Sequence, residues 1–128
     1  MSAFVYTAFK TTSINPKLHG HVTTSFTEIN RKLPKISTVY FAITGVVKSV
    51  EYWEESNVTV ALLDIPLSHS KQQLYAHQNS LIDRGFEYGY EFKPHITLGS
   101  GNTADENQDL VGVKVSFGEE YIGFLYKE

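Results

Sequence analysis

The chain has 128 residues, 41% of them hydrophobic and 20% charged, with a formal net charge of −3. That length can bury one sizeable core, removing roughly two-thirds of the unfolded surface from water, so a single domain over residues 1–128 is expected. The absence of cysteine excludes disulfides, thiolate metal sites and Cys nucleophiles, and the acidic balance disfavours a partner such as long duplex nucleic acid, which calls for a basic surplus.

No run approaches the ~20 apolar residues of a membrane span, and Met1–Lys10 lacks the basic start and apolar centre of a signal peptide. The expectation is a cytoplasmic protein with no membrane partner. In chain order, Phe4–Phe9 is rich in strand formers, and Lys10–Gly20 is polar with a turn signal at Asn15-Pro16. A strand over His21–Phe26 follows. Thr27 can cap a short helix over Glu28–Leu33 that Pro34 stops. Thr38–Trp53 reads as one long strand in which Gly45 marks a bulge or bend. After a turn at Glu54–Asn57, Val58–Ile65 is almost continuously apolar, the pattern of a central strand covered on both faces.

The one long helix is expected over Ser68–Arg84. Ser68 or Ser70 is its candidate cap, Leu74, His77, Leu81 and Ile82 form its apolar stripe, and Gly85 is its stop. Phe86–Phe92 alternates toward a strand ending at Gly99. Gly99–Asp109 reads as a loop, and Leu110–Phe117 with Glu120–Tyr126 as a closing hairpin around Gly118-Glu119. Strands, few helices and few βαβ units give the fold class α+β with mostly antiparallel sheet.

Two short stretches carry the chemistry. In Phe92-Lys93-Pro94-His95-Ile96-Thr97-Leu98-Gly99, a strand puts His95 and Thr97 on one face and Ile96 and Leu98 on the other. In His21-Val22-Thr23-Thr24-Ser25-Phe26, His21 and Thr23 again share a face, opposite Val22. Of the five histidines, only these two are followed two residues later by Ser or Thr. One His-x-Thr carries little information. Two of them in strand context, with Pro94 before the second, make a site the stronger reading. They lie 74 residues apart, so only the fold can unite them.

The pair resembles the motifs of the 2H phosphoesterase superfamily, which includes 2′-5′ RNA ligase-like proteins, cyclic phosphodiesterases and compact viral and phage enzymes. Phe92–Leu98 is similar to that family's aromatic-x-Pro-His-x-Thr-apolar segment. The first motif is looser, because Thr24 stands where the family has an apolar residue. Lys10–Gly20 is also too short for the family's first helix, which brings the chain nearer the compact viral and phage members. The resemblance implies a bilobal, pseudo-twofold fold with one His-x-Thr motif per lobe and a central cleft. It implies a phosphodiesterase without cofactor or metal, in which His21 and His95 act as general acid and base and Thr23 and Thr97 hold the phosphoryl oxygens. The implied partner is a small nucleotide: a cyclic nucleotide, a cyclic oligonucleotide or a short oligoribonucleotide. For a phage protein working in its host's cytoplasm, degradation of cyclic oligonucleotide immune signals is the specific version. The rival reading is a nucleotide- or RNA-binding module that uses the same cleft without cleavage.

Further candidates each have a plainer reading. Tyr6 can stack a base or bond a phosphate, or simply pack on its sheet. Phe26, Tyr88 and Tyr90 offer stacking or ordinary cross-strand packing. Lys93 and Lys10 can offset substrate charge or stay solvated, and Ser100 can help a Gly99–Gly101 loop bind phosphate or belong to a plain loop. His77 falls on the helix's apolar stripe as a packed residue. His19 near His21 invites a metal reading that no Asp, Glu or Cys cluster supports. Glu119 and Glu120 read as turn residues, or as a carboxylate that orients a catalytic histidine.

Overall fold

The computed structural model describes residues 2–29, 38–89 and 91–127. It is α+β, with one six-stranded sheet in which every neighbouring pair is antiparallel. Its strands are β1 (Ser2–Ser13), β2 (His21–Glu28), β3 (Tyr40–Trp53), β4 (Val58–Asp64), β5 (His95–Ser100) and β6 (Lys114–Lys127), in the order β2-β1-β6-β3-β4-β5. The helix α1 (Ser68–Asp83) connects β4 to the segment before β5, and 3-10 turns occupy Pro16–Leu18 and Asp105–Leu110.

The core lies on one face of this sheet. Phe9 and Val22 are cross-strand partners and are fully buried. Val47 and Leu63 pair in the same way between β3 and β4, and Leu74 of α1 joins the same cluster. Burying each such side chain stabilises the fold by ~1.5–3 kcal/mol before chain entropy is set against it. β4 is buried along most of its length between β3 and β5, as its unbroken apolar run requires.

Several elements differ from expectation. The closing hairpin is a single strand, β6, because β1 pairs with it on both sides of Gly118-Glu119 and β3 pairs with it from Lys114 to Glu119. Those two residues form a bulge opposite Lys10: Phe9 pairs with Glu120 and Thr11 with Phe117. A side chain at position 118 would stand 2.5 Å from the Phe41 carbonyl oxygen, which explains the glycine. Gly45 pairs regularly with Val115, and the nearby irregularity in β3 falls at Lys48 instead. Gly45 faces the core, where a Cβ would meet the Asp64 carbonyl at 3.4 Å.

The described residues between Phe86 and Phe92 form no strand, and a 3-10 turn at Asp105–Leu110 occupies the end of the expected loop. The helix starts without a side-chain cap: Leu67 holds the cap position and Ser70 is buried inside the first turn. Its end is as expected. Gly85 adopts φ 101°; its N–H donates to the Ile82 carbonyl and the Phe86 N–H to the Leu81 carbonyl, the paired bonds that close a helix through a left-handed glycine. Ile82 is exposed, whereas Gln78 joins Leu74, His77 and Leu81 on the buried side. In the expected short helix, Glu28 ends β2 and Ile29 is irregular; residues 30–37 lie outside the described residues.

Candidate functional site

The two motif strands are the two edges of the sheet. Four strands separate them in order, yet β2 and β5 touch directly. The sheet is therefore bent far enough that its edges meet. The seam is tight at its start: a Cβ on Gly20, the residue before His21, would lie 3.1 Å from Ile96 Cγ2. Ile96 is the residue between His95 and Thr97, so the contact joins one motif to the other.

Both strands orient their motifs by the same device. Val22 is buried while His21 is exposed and Thr23 half-buried, and Ile96 is buried between a half-buried His95 and an exposed Thr97. Just past each motif threonine the ladder skips a residue. Ala8 pairs with Thr23 and Thr7 with Ser25, leaving Thr24 unpaired. Val60 pairs with Thr97 and Thr59 with Gly99, leaving Leu98 unpaired. A one-residue bulge changes which face the following side chains take, and such bulges re-aim side chains at sheet edges.

Thr23, His95 and Thr97 line one groove of about 1110 Å³ that continues between α1 and the Phe86–Phe92 segment. Its further wall includes Phe26, Tyr75, Gln78, Asn79, Phe92 and Glu91. Tyr75 and Tyr88 both meet Phe92 edge-on, with centroids 5.2 and 5.5 Å away. Among the groove's described lining residues none is Lys or Arg. The segment that follows α1 and the Phe26 strand are held together at the far end, where the Phe26 N–H donates to the Glu87 carbonyl at 2.7 Å.

The histidines are held differently. His95 Nδ1–H donates to the Lys93 carbonyl at 2.7 Å, which leaves Nε2 as its acid–base atom. The Trp53 ring lies over His95 with centroids 4.6 Å apart. Burial lowers the His95 pKa first; the Lys93 carbonyl opposes this, and the His21 charge lowers it further. Desolvation also lowers the His21 pKa. His21 stacks on Tyr6 at 6.1 Å. Tyr6 in turn stacks on Phe26 and meets Tyr121 edge-on at 6.1 Å. Desolvation raises the Tyr121 pKa, helped by the charge of Tyr6 and a hydrogen bond to it. The Tyr6 ring lies across Gly123, its cross-strand partner, so closely that a Cβ there would collide with the ring.

Thus His21, Thr23, His95 and Thr97 are brought together, with Tyr6 and Phe26 beside them. Lys93 contributes its backbone carbonyl; its side chain lines a separate pocket with Tyr52, Trp53, Glu54 and Glu55. Ser100 is exposed at the end of β5, opposite Val58, and is not among the groove's described lining residues. Tyr90 lies outside the described residues. His19 Nε2 bonds the Ser13 carbonyl at 2.8 Å, and among the described residues no three His, Asp or Glu side chains converge as a metal site. Glu120 is not a turn residue. It is buried in β6 and contacts His77 at 2.7 Å rather than either motif histidine. Trp53, Tyr75, Gln78 and Asn79 were not singled out from sequence. Gly123 among the aromatic residues of β6 was the available sign that a ring crosses that strand. Among the described residues no helix is long and apolar enough to cross a membrane. Comparison of the chain with protein-family models, with curated proteins and with solved structures finds no match.

Proposed function

We propose that this protein is a phosphodiesterase that cleaves a small nucleotide substrate by two-histidine acid–base catalysis, as its resemblance to the 2H phosphoesterases implies. One observation carries the reading. Two His-x-Thr motifs on opposite sheet edges meet where β2 touches β5 and Gly20 abuts Ile96, and Thr23 and Thr97 open on one groove with His95. The pseudo-twofold, two-lobed description of the fold belongs to the same proposal and draws on the symmetric placement of the motif strands in the sheet order.

In-line transfer at phosphorus needs a base at the entering oxygen and an acid at the leaving oxygen. Two imidazoles whose charges repel favour the state with one proton between them, which is the state such a reaction uses. His95, the more deeply desolvated ring and the one pinned through Nδ1, takes the proton of a ribose hydroxyl or water through Nε2. His21 protonates the departing oxygen. The hydroxyls of Thr23 and Thr97 donate to the non-bridging oxygens as negative charge builds there. These residues carry both proton transfers without a metal. The rings and amides of the groove suit a nucleoside, and its Glu91 carboxylate with no cationic partner on the described wall suits a substrate of few phosphates.

The test is turnover in EDTA on cyclic mono-, di- and trinucleotides, 2′,3′-cyclic nucleotides and short 2′-5′ and 3′-5′ oligoribonucleotides. The His21→Ala/His95→Ala protein runs beside the native one. Turnover lost in the variant is the expected result. A panel with no turnover, combined with a ligand-induced rise in Tm, would replace the enzyme by a nucleotide-binding module.

A further inference from the structure

Thr24 and Ser25 are adjacent in a strand, yet both are fully buried. They sit at the bulge that follows Thr23. Counting back from Phe26, which lies over the cleft-side Tyr6, plain alternation would send Thr24 to the cleft and Thr23 into the core. The unpaired Thr24 reverses this and puts His21 and Thr23 back on the cleft side. In β5 the residue at the same point is Leu98, which packs on the core through apolar contacts. In β2 it is a threonine whose hydroxyl must find partners.

Those partners form a chain. Ser25 Oγ lies 2.6 Å from Thr7 Oγ1, which lies 2.7 Å from Thr24 Oγ1. The Thr24 hydroxyl is 3.0 Å from Glu120 Oε2 and 3.1 Å from the Thr7 carbonyl. Its single proton goes to the carboxylate, the stronger acceptor. Thr7 then donates to Thr24 and Ser25 to Thr7, so every proton in the chain points toward Glu120. The same Oε2 accepts from His77 Nε2–H at 2.7 Å. Glu120 and His77 are both buried, and Glu120 Oε1 has no hydrogen-bond partner. Gln78, the next residue of α1, donates to the Thr24 carbonyl at 3.4 Å. A half-satisfied buried carboxylate is costly for a fold to retain, and this one ties α1, β6 and the bulge of β2 together at a single oxygen.

We propose that His77 and Glu120 are positioning residues: acting through Thr24, they hold the β2 bulge that aims Thr23 into the groove. The proposal rests on the two-histidine reading of the site. Neither residue touches the substrate; they hold the buried Thr24, and with it the bulge from which the neighbouring Thr23 faces the groove. Losing them weakens the hold on the transition state more than the binding of the ground state.

The test is a set of double-mutant cycles with 2′,3′-cyclic AMP as substrate. Thr24→Val and Glu120→Gln each lower kcat by ~10-fold with KM changed less than about twofold, and Thr24→Ser, which keeps the hydroxyl, restores kcat. In a Thr23→Val background neither substitution lowers kcat further, because both act through Thr23. Effects that multiply in the double variants, or a Thr24→Val protein that folds and keeps full kcat, overturn the proposal while leaving the reaction intact. If the native protein turns over no nucleotide, the reaction fails separately and the positioning is read by NMR. The Thr23 amide and methyl signals then move in Thr24→Val and stay in place in Thr24→Ser; signals unmoved in both refute it. Should Glu120→Gln fail to fold, the Thr24 pair decides alone.

Discussion

Gly20 and Ile96 stand so close that one added methyl at position 20 would lie 3.1 Å from Ile96 Cγ2. The contact is where the two motif strands meet, and a side chain at position 20 fits only where Ile96 gives way by a few tenths of an ångström. Gly20→Ala is therefore expected to wedge His21 away from His95. Overpacking of this kind costs ~1–3 kcal/mol, and turnover falls because the reaction depends on the spacing of the two groups, by less than the ~10²-fold that a misplacement of about an ångström costs. Gly20→Val should do more of both. Thermal unfolding and kcat measured on the same preparations check the pair; an alanine variant with native kcat would mean the seam does not set the spacing of the histidines.

Burial lowers the pKa of both His21 and His95, and the charge of His21 lowers that of His95 further. The singly protonated pair is thus populated at lower pH than two free histidines would allow, and the bell-shaped profile of kcat/KM is expected to centre on the acid side of ~6.5. His21→Ala removes the repulsion, so the His95 pKa should rise. NMR titration of the His95 ring in the two proteins reads this directly.

The same shifts bear on stability. Both histidines bind protons less readily folded than unfolded, so their neutral forms favour the fold above the unfolded pKa of ~6.5, and that contribution is lost as pH falls through the lowered folded values. Replacing both by Gln should flatten the fall in Tm across that window. An unchanged slope would show that neither ring is desolvated in the folded chain.

Gly123→Ala gives a test whose sign is informative. Alanine in a strand normally stabilises by ~0.4–1 kcal/mol through the unfolded chain. Here its Cβ meets the Tyr6 ring, so the variant should lose ~1–3 kcal/mol and release Tyr6 from His21. Tyr6→Phe, which keeps the stack and loses only the bond to Tyr121, should stay close to native. Denaturant midpoints of the two variants separate the cases.

His77→Ala leaves the buried Glu120 carboxylate with the Thr24 hydroxyl but without its closest partner, and such single losses cost up to ~3–5 kcal/mol. Replacing both members by Leu and Met of similar volume should recover most of that stability, since a buried pair contributes little net. Urea unfolding of the single and double variants measures the difference.

The first four strands, α1 and the face of each motif were legible in the sequence, because these follow from local periodicity; Phe86–Phe92, which alternates but whose described residues are irregular, and the expected closing hairpin were misread. The apolar run Val58–Ile65 announced a covered strand, and Gly85 announced the end of α1. The bulges were not legible. Gly45 drew attention as a glycine in a strand, but the ladder breaks at Lys48, where the register with β4 decides. Gly118-Glu119 has the composition of a turn and becomes a mid-strand bulge because β1 is long enough to pair on both sides of it. The site was legible as two motifs and no more. Trp53 over His95 and the α1 wall depend on how far the sheet bends, which no residue spacing encodes. Glu120 read as a turn carboxylate because its partners, Thr24 and His77, are 96 and 43 residues away.

Whether the two His-x-Thr motifs form one phosphate seat is tested by inorganic phosphate, without knowledge of the substrate. We would titrate phosphate into the protein and follow all five imidazoles by NMR. The account predicts that the His21 and His95 rings shift together with a single Kd, that both pKa values rise as the bound anion favours the imidazolium, and that His19, His69 and His77 stay in place. Shifts confined to one motif, or two motifs that titrate with different Kd values, would contradict it.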